Sequence, residues 1–210
     1  MNEVIAIISI LGVLLIGAMT PGPSFIVVAQ TALSNSRTHG ISSAFGMGIG
    51  ALIFASLALL GLHVVFTQVA WLYAGFKVLG GLYLLYLGIK IWCGAKNDLV
   101  AQSKNNNTHT GQTLFRAFYY ALITQISNPK AAIIYSGVFA VFLPSETSVW
   151  FPILLLPAIF AVETGWYLIV ACALSIPMTR DVYLRAKNWI DRVAGGLMGA
   201  LGVKLMMSDS

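Results

Sequence analysis

Charge is the scarcest thing in this sequence. Only 9% of its 210 residues are Asp, Glu, Lys or Arg, against roughly 25% in an ordinary soluble domain. With 58% hydrophobic residues and a mean hydropathy of +0.84, such a chain cannot cover a water-facing surface, which identifies an all-α integral membrane protein. Cysteine is nearly absent as well. Cys172 lies inside an apolar run and Cys93 at the end of another, so both read as packing residues and no disulfide framework is indicated. His39, His63 and His109 fall in loops or at a span edge without ligand-spaced partners, which gives no metal site. There is no Gly-rich phosphate loop, no His-Glu-x-x-His and no nucleophile elbow. The chain therefore reads as a non-enzyme with no catalytic residues and no cofactor, and nucleotide hydrolysis as an energy source is excluded. A basic n-region is also missing: Asn2 and Glu3 precede the first apolar run, and Ala18-Met19-Thr20-Pro21 makes a poor cleavage site, so that run is a retained span and not a signal peptide. The net charge of +5 is scattered over short loops, not gathered on one face, which argues for lipid headgroups and against nucleic acid.

What the sequence does have is six long apolar runs. A helix needs about 20 apolar residues to cross a bilayer core, and the expected spans are Val4–Leu33, Ile41–Leu62, Trp71–Trp92, Leu114–Leu143, Phe151–Ile176 and Trp189–Met207. The loop after span one carries Arg37, that after span three Lys96 and Lys104, and that after span five Arg180, Arg185 and Lys187, whereas 63–70 and 144–150 carry no Lys or Arg. By the positive-inside rule both termini face outward, to the periplasmic side. Trp71, Trp92, Trp150 and Trp189 fall at span ends as an aromatic belt. The polar stretch 97–113, centred on Asn105-Asn106-Asn107, reads as a cytoplasmic linker between two three-helix repeats, 1–96 and 114–210. A shift of 115 residues supports the repeat by laying Lys77-Val78-Leu79-Gly80-Gly81-Leu82 on Arg192-Val193-Ala194-Gly195-Gly196-Leu197. An odd number of spans per repeat makes the two halves inverted.

Spans one and four are overlong and each is broken. Asn128-Pro129-Lys130 places an N-cap, a proline at the first helical position and a cation inside one run; Thr20-Pro21-Gly22-Pro23 interrupts the other, with Thr20 expected as the N-cap. Helices that start inside the membrane expose amide N–H groups and a positive dipole end, and two of them converging make a cradle for a carboxylate. Plain proline kinks, sealed by neighbouring helices, are the structural alternative. Lys130 and Glu163 are the ionisable side chains plainly deep in spans. Either they neutralise each other, or Lys130 holds a substrate carboxylate while Glu163 meets an ammonium or carries a proton. Gln125, one turn before Asn128, adds a neutral hydrogen bond. The candidate binding set is thus Thr20, Pro21, Gly22, Pro23, Ser24, Gln125, Asn128, Pro129 and Lys130, with Glu163 for proton coupling. Gly46, Gly50, Gly80, Gly81, Gly195 and Gly196 read as close helix packing or gating positions.

Thr20-Pro21-Gly22-Pro23, Gly46-Met47-Gly48-Ile49-Gly50, Lys77 followed by Gly80-Gly81-Leu82-Tyr83-Leu84, and Asn128-Pro129-Lys130-Ala131 together resemble the LysE/RhtB family of bacterial amino-acid exporters over nearly the whole chain. The resemblance implies a secondary transporter exporting small neutral amino acids such as threonine and homoserine across the bacterial inner membrane, driven by the proton gradient. It places the family's two signatures on Pro21, Gly22, Pro23 and on Asn128, Pro129, Lys130, and its fifth-span acid on Glu163. Many relatives carry Asn directly after the Pro-Gly-Pro, whereas this chain has Ser24, a departure that bears on substrate choice. The implied partners are a zwitterionic amino acid, protons and the lipid bilayer; glycine faces permit a homodimer without demanding one. Export of a divalent metal ion and a non-transporting membrane scaffold are the competing readings, the first wanting several facing carboxylates where Glu163 stands alone.

Overall fold

The computed structural model describes residues 2–20, 22–68, 78, 81–82, 84–86, 88–93, 113–144, 146–174 and 177–207. Every regular element among these is helical: α1 Glu3–Met19, α2 Pro23–Ser34, α3 Arg37–Gln68, α4 Leu84–Cys93, α5 Leu114–Ile126, α6 Pro129–Phe142, α7 Trp150–Leu174 and α8 Pro177–Met207. Helices α3 and α7 are each long and apolar enough to cross a bilayer, and α1 with α2 forms a third candidate span, bent by 58° at its break. Of the expected third span, only parts from 78 onward are described. Trp71, Lys77, Gly80, Pro21 and linker residues 97–112 lie outside the described residues.

Two boundaries differ from the sequence reading. The basic stretch after span five is not a loop: Pro177 opens α8, so Arg180, Arg185 and Lys187 sit in its first turns. Proline is well tolerated at a first helical position, and Lys and Arg are good helix formers. Trp189 consequently lies within a helix and not at its end. Arg37 likewise begins α3, after a connection of only Asn35 and Ser36. The Ser36 hydroxyl accepts from the His39 backbone N–H at 3.4 Å and lies 2.7 Å from its Nδ1, which places His39 in a capped first turn.

Helix α3 packs most extensively against α5 and α7. Glycine permits the first approach: a Cβ on Gly46 would run into the Phe118 carbonyl, and one on Gly50 would lie 2.6 Å from Gln125 Cγ. Gly88 and Gly195 bring α4 against α8 in the same way, and Gly81 stands equally close to Gly202 of α8, since small residues let membrane helices meet backbone to backbone. Gly196 is different, with only a Trp92 ring atom at 3.5 Å, an ordinary contact.

Two apolar clusters fill the interior. One gathers Ile10, Leu14, Leu84, Phe139, Phe151, Leu155 and Met198; the other gathers Phe25, Val28, Met47, Tyr167 and Ala171. Both contribute walls to the cavity described next.

Candidate functional site

At the second break α5 ends at Ile126 and α6 starts at Pro129. Asn128 is extended there and its side-chain oxygen accepts from the Lys130 backbone N–H at 3.0 Å. Proline occupies the position whose missing N–H removes an orphan donor. The first break has the same outcome by a different route. Helix α2 starts at Pro23 behind Gly22, which caps without a side chain. Thr20 is therefore not the N-cap of α2. It closes α1 as its C-cap, and its hydroxyl donates back to the Ile16 carbonyl at 3.1 Å. Pro-Gly-Pro supplies two prolines to choose between, and the helix takes the second, because Gly22 is extended and interposed.

The two breaks meet through Ser24. Its hydroxyl donates to Gln125 Oε1 at 2.5 Å and accepts from Asn128 Nδ2 at 2.8 Å. All three side chains are buried, at 3%, 2% and 5% exposure. A buried amide or hydroxyl without partners costs about 1–3 kcal/mol, so this chain of bonds pins the start of α2 to the end of α5 and the start of α6.

Opposed to these helix starts is the carbonyl end of α1, where four acceptors are closed by side chains. Thr20 Oγ1 serves Ile16, the Trp166 indole N–H serves Ala18 at 3.1 Å, and Lys130 Nζ serves Gly17 at 3.2 Å and Thr20 at 2.8 Å. A cation at a helix C-terminus also meets the negative end of its dipole. The Lys130 stem passes Gly22 with its Cδ and Nζ 3.4 Å from where a Cβ would stand.

Glu163, on α7, is 3% exposed. Its Oε1 accepts from the Tyr135 hydroxyl at 3.1 Å, and its Oε2 has no hydrogen-bond partner. Lys130 and Glu163 thus share one cavity while their hydrogen bonds run to different groups. A further buried acid lies on α8, where Asp191 is 4% exposed. Sequence reading singled out Lys130 and Glu163 as the deep ionisable residues and passed over Asp191. The earlier start of α8 puts it inside.

The cavity is lined by Thr20, Gly22, Ser24, Gln125, Asn128, Lys130 and Glu163 among the expected residues, and by Tyr135 and Tyr167 in addition. Pro23 and Pro129 start helices at its edge without lining it. The two tyrosines were legible in principle, since Tyr167 stands four residues after Glu163 and Tyr135 four after Ala131, on the same helical faces. The cavity volume is about 30 Å³, room for about two waters at the roughly 10–15 Å³ each requires. No free amino acid fits it in this state. Among the described residues no three His, Cys, Asp or Glu gather as a metal-ligand group.

Residues 15–209 match the model of the LysE type translocator family. The chain is 34% identical over 201 residues to the threonine efflux protein of Salmonella typhi and 34% identical over 198 residues to that of Escherichia coli K12, in each case covering 92% of this chain and 94% of the relative. An uncharacterized membrane protein of Haemophilus influenzae is 30% identical over 182 residues, 86% of each chain. No solved structure matches.

Proposed function

The chain belongs to the LysE type translocator family, and from that premise we propose that it exports small neutral amino acids, threonine or homoserine among them, across the bacterial inner membrane in exchange for protons. The observation that carries the reading is the junction of the two chain breaks. Ser24, Gln125 and Asn128 tie two helix starts together beside Lys130 and Glu163, in one cavity between the apolar clusters. Helix starts attract a carboxylate, and Lys130 is the cation at hand to pair with it. Glu163 is the proton carrier: it is buried, lines the cavity and has one oxygen without a hydrogen-bond partner.

A cavity of about 30 Å³ is smaller than a free amino acid. Transport then requires the walls to part, which fits alternating access around a fixed midplane site between inverted halves. Both termini are assigned to the periplasmic side by the distribution of Lys and Arg.

Efflux of radiolabelled threonine from proteoliposomes, with and without an imposed proton gradient, tests the proposal. Gradient-dependent threonine loss is the expected result, and a vesicle population that retains threonine under either gradient would overturn it.

A further inference from the structure

We infer that the carbonyl end of α1 is a subsite for a primary ammonium group, filled in the empty carrier by the ammonium of Lys130 and taken over by the α-ammonium of the transported amino acid. The inference rests on the export reading and adds where the substrate nitrogen goes. Helix ends in lipid must find donors, because no water is there to supply them. Two of the α1 acceptors are closed by neutral donors: Ile16 by the hydroxyl of Thr20 and Ala18 by the indole of Trp166. The other two, Gly17 and Thr20, converge on one charged nitrogen at 3.2 and 2.8 Å. That nitrogen arrives on a flexible four-carbon stem, which Gly22 accommodates by having no side chain. An ammonium, with three donors and no acceptor, is the chemistry this pair of carbonyls fits.

A second, independent observation points the same way. Glu163 lines the same cavity, and its Oε2 is buried without a hydrogen-bond partner. The cavity thus presents acceptors in excess of the single cation that serves them. A zwitterion restores the balance. Its ammonium replaces Nζ on the Gly17 and Thr20 carbonyls, and the released Lys130 turns to the substrate carboxylate. One ammonium occupies the α1 end in either state, so the empty carrier holds its own plug. Amines lacking N–H groups are refused, as are hydroxy acids that differ from a substrate only in the missing nitrogen.

The test is chemical rescue. Purified Lys130→Ala protein is titrated with ethylammonium chloride, with tetramethylammonium chloride as control and wild type in parallel. The unfolding midpoint of the variant should rise by about 2–4 °C with ethylammonium, with no rise from tetramethylammonium and none in the wild type. A folded variant that does not respond, or a wild type that responds equally, overturns the subsite. Should Lys130→Ala not fold, the wild type decides. The unfolding midpoint of the wild type should rise with threonine and not with its deaminated hydroxy-acid analogue; an equal rise with both overturns the inference. Threonine efflux by the same wild-type preparation separates the two readings. Intact efflux without rescue removes the subsite alone, and rescue without efflux removes the export reading while the subsite stands.

Discussion

Asn128 donates from Nδ2 to the hydroxyl of Ser24 at 2.8 Å, across 104 residues of sequence, and so fastens one helix start to the other. The same hydroxyl donates onward to Gln125. Removing it by Ser24→Ala leaves two buried polar groups short of a partner and should cost about 1–3 kcal/mol of stability. In a double-mutant cycle with Asn128→Ala the two losses should be less than additive by at least about 0.5 kcal/mol. Thermal or denaturant unfolding in detergent measures both. Strictly additive losses would show that Ser24 does not couple the breaks.

Glu163→Gln keeps an oxygen to accept from Tyr135 and loses the group that binds a proton. Stability should change by less than about 1 kcal/mol, since the hydrogen bond survives. Gradient-driven export should be abolished, while counterflow of a preloaded amino acid continues. Undiminished gradient-driven export in the variant would remove Glu163 from the coupling.

Gly46 lies where a Cβ would strike the Phe118 carbonyl, whereas Gly165 has nothing within 4 Å of its own Cβ position. Gly46→Ala should therefore destabilise by about 1–3 kcal/mol, the usual cost of overpacking. Gly165→Ala should be neutral, or stabilising by up to about 1 kcal/mol through helix propensity. Comparing the unfolding of the two variants checks whether close approach of α3 and α5, and not glycine flexibility, is what Gly46 provides.

Outside the apolar spans, Glu3 at the start of α1 accepts from the Ser148 backbone N–H at 2.5 Å and from the Ser148 hydroxyl at 2.8 Å. The backbone bond first, and the hydroxyl second, hold the Glu3 carboxyl below its ordinary value of 4.5. A carboxyl held low in the folded state adds stability that is complete above the ordinary value and lost as the pH falls through the lowered one. Protection of the Ser148 amide from hydrogen exchange should accordingly persist from neutral pH to about 4.5 and decline below it. In Glu3→Gln that acid limb should vanish, and a decline of equal size in the variant would locate the titrating group elsewhere.

The membrane class and the positions of both chain breaks were legible because each rests on a strong local signal: sustained apolarity, and proline inside it. The family resemblance stated from the same motifs is matched by the family over residues 15–209. The capping of the first break was not legible, because Thr20-Pro21 and Gly22-Pro23 both have a form that can open a helix, and only the backbone chooses. Asp191 was passed over because Arg192 and a basic stretch stand beside it; once that stretch is helical, Asp191 faces inward and Arg192 outward. Trp166 looks like a lipid-facing aromatic by composition. Its indole finds the Ala18 carbonyl only through tertiary packing of α7 on α1, which no local pattern encodes.

Two of the donors that seal the end of α1 come late in the chain: Lys130 reaches the Thr20 and Gly17 carbonyls over 110 and 113 residues, and Trp166 reaches Ala18 over 148. During synthesis the first segment must therefore enter the bilayer with raw carbonyls, at a cost of several kcal/mol for each one left in hydrocarbon. It can settle only after the last third of the protein has followed it out of the insertion machinery. A chain cut within 97–113 should thus yield a first fragment that is degraded when made alone and preserved when the second fragment is made beside it.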